Sequence, residues 1–156
     1  MDRVRILTAA TLLGMGTILP QAAAAADEIS QKDIVAVRSQ ESTIVKQGIP
    51  QFHGISGRTA NSEAISMHKV TIPPGGKAKP HVHKGYETAV YLLKGRVKTL
   101  YGEGLKKSVV NEAGDFLYIP ADVPHQPINL SDTETAEAIV ARTDPNEQES
   151  VHDYPN

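Results

Sequence analysis

Three histidines and a glutamate carry the strongest chemical signal in the sequence. His81-Val82-His83 sets two imidazoles two residues apart, and Glu87 follows four residues after the second. In a strand, residues i and i+2 share a face, so both rings can be aimed at one point. Glu87 has the same parity and can add a carboxylate oxygen. Imidazole and carboxylate together suit a borderline divalent cation. Taken alone, the pair is equally consistent with a solvated surface strand, because any strand presents alternate residues on one face. The series Gly114, Pro120, His125 and Asn129 changes this, since it sets one more histidine after a strand and a proline turn.

Other residues have weaker signals. His68 shares parity with Val70 and Ile72, so it faces inward if they do. It is then either a partner of the site or a satisfied interior histidine. Tyr91 has the parity of Glu87 and is a candidate for holding a substrate oxygen or a reactive proton; the alternative is a purely structural hydrogen bond. His68 and Tyr91 are thus the candidate catalytic residues. Phe116 and Tyr118 are expected in the core. Gln126 is a candidate for orienting a group at the site or capping a turn, and Arg142 is either an anion anchor or an exposed strand end. Tyr86 is a candidate for substrate contact, while His53 and His152 are expected at the surface.

The elements that must position these groups are strands. From Ile65 onward the chain runs through short β-prone segments, Ile65–Ile72, Thr88–Leu93, Arg96–Tyr101, Ser108–Val110, Phe116–Ile119 and Ala136–Ala141. Turn residues separate them, among them Pro73-Pro74-Gly75-Gly76, Lys94-Gly95 and Gly102-Glu103-Gly104. Strands at this spacing predict an all-β sandwich or barrel. Residues 27–53 read as an N-terminal arm with one or two short strands.

Residues 1–26 differ from the rest. Arg3 and Arg5 precede an uncharged apolar run from Ile6 to Leu19, then Pro20 and the small residues Ala22–Ala26. This is the order of a cleavable signal peptide, and the run is shorter than the roughly 20 residues that span a bilayer. Cleavage near Ala26 removes Asp2, Arg3 and Arg5 and takes the net charge from -2 to -3. The mature protein is expected to be periplasmic or secreted, with no stable membrane insertion. With no cysteine, disulfides, thiolate sites and thiol-linked lipids are excluded. The acidic balance, the absence of tryptophan and an aromatic content of 4% give no nucleic-acid surface.

The two histidine segments together resemble the paired motifs of the cupin superfamily. Gly75, His81, His83, Glu87 and Gly95 match the first motif, and Gly114, Pro120, Asp122, His125 and Asn129 match the second. Residues 54–151 are similar to small single-domain bacterial cupins of the type-2, RmlC-like kind, with 152–156 as a tail. Further likeness lies in Met67–Gly75, Tyr101–Leu105 and the run Ala141 to Ser150. Two positions depart from the pattern: Glu87 lies one residue further from its glycine, and Asp122 replaces a glycine.

The resemblance implies a double-stranded β-helix, a jelly-roll barrel, with one divalent metal ion held by His81, His83, Glu87 and His125. It also implies a small-molecule substrate and a homodimer. A metal-dependent enzyme acting on an enol, carboxylate or phenolic substrate follows, with dioxygenase chemistry favoured. The alternatives are isomerase or lyase chemistry and a non-catalytic ligand- or metal-binding module. Three imidazoles favour copper, nickel or zinc by the general affinity order, and the carboxylate keeps manganese and iron in play.

Overall fold

Alternation decides which side of each strand is buried, and it is clearest at the centre of the molecule. In the computed structural model, which describes residues 33–39 and 41–155, Ala136, Ala138, Val140 and Arg142 face inward while the residues between them are half exposed. The Ala-rich segment is therefore a strand, because its tertiary neighbours override its helix propensity.

The described residues form eleven strands. They are β1 (Ser42–Ile44), β2 (Pro50–Ile55), β3 (Ser66–Ile72), β4 (His81–His83), β5 (Thr88–Lys94), β6 (Arg96–Tyr101), β7 (Lys107–Glu112), β8 (Phe116–Ile119), β9 (His125–Asn129), β10 (Ala136–Arg142) and β11 (Val151–Asp153). One sheet has the order β1-β2-β3-β10-β5-β8 and the other β11-β4-β9-β6-β7. All pairings are antiparallel. The two sheets face each other as a jelly-roll barrel, as the sequence resemblance implies. Residues 1–26, expected to be a signal peptide, lie outside the described residues.

The space between the sheets is filled by Val45, Ile49, Ile72, Ala78, Leu92, Val97, Ala136 and Ala138. Gly95 makes the β5–β6 turn with φ 92°, and a Cβ there would lie 3.0 Å from Ala136 Cα. Glycine is thus needed for both backbone angle and space.

Two expectations change. Phe116 and Tyr118 are not core residues: Phe116 is 82% exposed, and both lie on the outer face of β8. Their in-between neighbours Leu117 and Ile119 turn inward and line the cavity. His152 and Asp153 are not tail: with Val151 they form a strand that pairs residue for residue with the histidine strand β4. Val35 and Val37 of the arm line a second pocket together with Phe52, Met67 and Ile139.

Candidate metal centre

The two motifs meet at one register position. His81 on β4 pairs with His125 on β9, and this pairing brings the third imidazole to the other two. The ring centroids of His81, His83 and His125 lie 4.2–5.1 Å apart, and one nitrogen of each comes within 4.8 Å of the others. All three residues are buried. The turn before β9 is docked on the end of β4: Asp122 N–H donates to the His83 carbonyl, and Asp122 Oδ1 accepts from Gly85 N–H. Asp122 has φ 62°, the left-handed conformation the motif's glycine would supply. Aspartate tolerates it better than most residues.

Which nitrogen of each ring is free follows from its hydrogen bonds. His81 Nδ1 donates to the Lys79 carbonyl at 2.7 Å and His125 Nδ1 to the Val123 carbonyl at 2.9 Å. A carbonyl only accepts, so both rings carry their proton on Nδ1 and leave the Nε2 lone pair free. His83 Nδ1 lies 2.7 Å from Thr88 Oγ1, and its Nε2 is buried with no protein partner. Burial pushes His81 down to about 3 and His125 to about 4, and lowers His83 as well, with Arg142 adding to each shift. The three rings are therefore neutral at pH 7. Three neutral imidazoles with occupied Nδ1 atoms and an orphaned Nε2 fit a divalent metal ion.

Glu87 does not join them. It is exposed, accepts a hydrogen bond from Tyr118 Oη at 2.5 Å, and its backbone N–H donates to Thr143 Oγ1. The parity carried from His83 to Glu87 is lost because residues 84–87 lie outside β4 and β5 and turn the chain. Thr88 takes the inward place instead, 2% exposed, and orients His83. Tyr91 follows Glu87 to the outside, 36% exposed, with its ring 4.7 Å from that of Phe116. Tyr91 is thus remote from the cavity as a candidate for proton transfer.

His68 does face inward but serves another network. Its Nδ1 accepts from Gly54 N–H at 3.0 Å, and its Nε2 lies 3.7 Å from Glu147. Burial lowers its pKa, opposed by Glu147. Glu147 also accepts from Gln51 and Gln148 and pairs with Arg142. Burial pushes Glu147 up, but Arg142 and these hydrogen bonds hold its carboxyl below the usual range. Gln126 donates to the Ala78 carbonyl and is structural.

The three histidines, Thr88 and Arg142 line one cavity of about 80 Å³ whose other walls are largely apolar. Sequence reasoning missed Thr88, Gln51 and Glu147. The only pointer to Thr88 was the extra residue between Glu87 and Gly95, which puts Thr88 at the spacing the motif's carboxylate would otherwise have.

The family model of the cupin domain matches residues 68–142, which contain all three histidines. Residues 68–142 belong to the cupin family. Three solved cupin-fold structures illustrate the likeness. The oxalate decarboxylase of Lactobacillus farciminis in its formate complex superposes with TM-score 0.61 at 22% identity, covering 72% of this chain and 33% of its own. Oxalate decarboxylase of Bacillus subtilis, studied for its Mn(II) centres, gives 0.59 at 23%, covering 69% and 28%. The polyketide cyclase RemF of Streptomyces resistomycificus gives 0.58 at 19%, covering 84% and 87%. This chain thus spans about a third of the length of the decarboxylases. No curated protein matches the sequence.

Proposed function

We propose that this cupin is exported, holds one divalent metal ion through His81, His83 and His125, and acts as a metal-dependent enzyme on a small oxygen-rich substrate. Dioxygenase-type oxidoreduction is the favoured reaction. The observation that carries the reading is the engagement of each ring: all three Nδ1 atoms are bonded, the Nε2 lone pairs of His81 and His125 remain, and His83 Nε2 is buried with no protein partner. When bound, the ion supplies Lewis-acid polarisation of a substrate oxygen and, if redox-active, electron transfer with dioxygen.

The protein's own residues shape what can enter. Val45, Ile49, Val90 and Leu92 make apolar walls, while the histidines and Arg142 make a polar end. A substrate with its oxygens grouped at one side is oriented by that contrast. The small volume favours small ligands over large ones. With Glu87 outside the cluster, the donors are imidazoles alone, which favours copper, nickel or zinc over iron and manganese. Export ahead of Asp27 and pairing as a homodimer complete the proposal.

The test is the metal content of the mature protein taken from its native compartment without added metal, with its N-terminus sequenced. A start near Asp27 and stoichiometric copper, the redox-active ion among those favoured, are expected, followed by oxygen consumption with small enols or phenolic acids. Zinc would redirect the assays to isomerase or lyase reactions, and a folded barrel without metal would overturn the enzyme reading.

A further inference from the structure

We infer that Arg142 is a carboxylate-binding residue of the cavity, and that Glu147 occupies its guanidinium until a carboxylate ligand arrives. The inference rests on the metal-dependent reading above and narrows its substrate class.

Arg142 is the last inward residue of β10, following Ala136, Ala138 and Val140 on the same face. It is only 6% exposed and lines the same cavity as His81, His83 and His125. A buried guanidinium offers five N–H donors in a planar fork that matches a carboxylate bidentately. Here Nη1 is bonded to Glu147 Oε2, but Nε is buried without any partner. Glu147 cannot satisfy the fork alone. Its Oε1 is taken by Gln51 Nε2 at 2.7 Å, and its Oε2 is shared with Gln148 Nε2 at 2.6 Å. Native proteins rarely leave a buried charged donor unpaired, so the free edge of Arg142 is a place for an acceptor.

The charges point the same way. Glu137, the one carboxylate among the residues lining the cavity, is engaged by Lys69 at 3.4 Å, and Glu147 reaches Arg142 from outside that lining. Asp144 is buried near Arg142 and bonded to Ser150 and the Asn146 N–H. Arg142, Glu147 and Asp144 together leave one negative charge. A divalent ion on three neutral imidazoles turns that into one positive charge, because no carboxylate joins the histidines. A monocarboxylate with one end toward the imidazoles and its oxygens on Arg142 brings the sum to zero. In a low-dielectric cavity such balance is a strong selector.

The experiment uses the mature protein, metal-free and loaded with zinc, with calorimetric titration of acetate and of its neutral analogue acetamide. Metal content and circular dichroism are recorded for each sample. Acetate is expected to bind the zinc-loaded protein and acetamide is not. The double variant Arg142→Gln/Glu147→Gln removes both charges at similar size; it is expected to keep its zinc and lose acetate affinity by about tenfold or more. Glu147→Gln alone removes the competing carboxylate and is expected to tighten acetate.

Equal binding of acetate and acetamide, or unchanged acetate affinity in the double variant, would overturn the inference. If the double variant does not fold, an unchanged acetate affinity in Glu147→Gln does so. Failure of the wild type to retain zinc would instead sink the metal reading. Acetate binding by the metal-free protein, weakened by the double substitution, would then still support the role of Arg142.

Discussion

At the scale of single residues the centre depends on which nitrogen of each ring holds the proton. His83→Ala should reduce metal from stoichiometric to trace while circular dichroism still reports a barrel; unchanged metal content would remove His83 from the ligand set. Glu87 and Thr88 make a sharper comparison. Glu87→Gln should leave metal affinity unchanged, since its carboxylate faces Tyr118. Thr88→Val should weaken affinity roughly ten- to hundredfold, the usual cost of removing a partner that orients a ligand. Competition with a chelator measures both, and the opposite order would restore Glu87. Proton uptake gives a third test. His81 and His125 have pKa values of about 3 and about 4, and His83 is lowered too, against 6.5 in an unfolded chain. Above pH 6.5 neither state carries these protons. As pH falls below it the unfolded chain binds protons the barrel refuses, so the metal-free protein should lose stability down to at least about pH 3. Glu147, held below its ordinary value, adds to the loss in the acid range. Urea midpoints at pH 7 and pH 5 check this, and equal midpoints would contradict it. The three histidines were legible in the sequence because spacing within a strand fixes facing. Glu87 and Tyr91 were misread because parity does not survive a turn.

At the scale of elements, alternation located β3, β5, β6, β8 and β10 closely, yet it cannot tell which of two faces is inside. Phe116 and Tyr118 therefore fell on the wrong side: on β8 the smaller aliphatic residues Leu117 and Ile119 fill the interior. β11 is only three residues long, too short for a periodicity, and its existence depends on β4 lying open beside it. The asparagine of the second motif shows how much one side chain joins elements. Asn129 Nδ2 donates to the carbonyls of Ile72, Pro73 and Glu134, and its Oδ1 accepts from Ser131 N–H. It ties the end of β9 to the turn after β3 and to the loop before β10. Asn129→Ala should cost about 2–4 kcal/mol by orphaning buried carbonyls. A chemical denaturation curve measures the loss, and a change under about 0.5 kcal/mol would show that water replaces the amide.

At the scale of the whole molecule, most of the pairing is long-range: β3 with β10, β5 with β10, and β4 with β9 and β11. The loop from Thr143 to Ser150 supplies Glu147 to Arg142 and then delivers β11. A chain stopped after Ser150 should therefore keep its three histidines but hold metal less tightly, because β4 loses a neighbour. Metal retention on dialysis, compared with the full chain, checks this; equal retention would show that β9 alone holds β4 in place.

The place of β4 between β9 and β11 also sets a timetable. A ribosome makes His81 and His83 about forty residues before His125, and β11 later still. Until those segments arrive, the growing chain offers two imidazoles on an unpaired strand, which binds metal loosely and without geometry. The three-imidazole centre can form only once β9 has been made and has paired with β4. Where the chain stands when those two strands meet sets which ions compete for the centre.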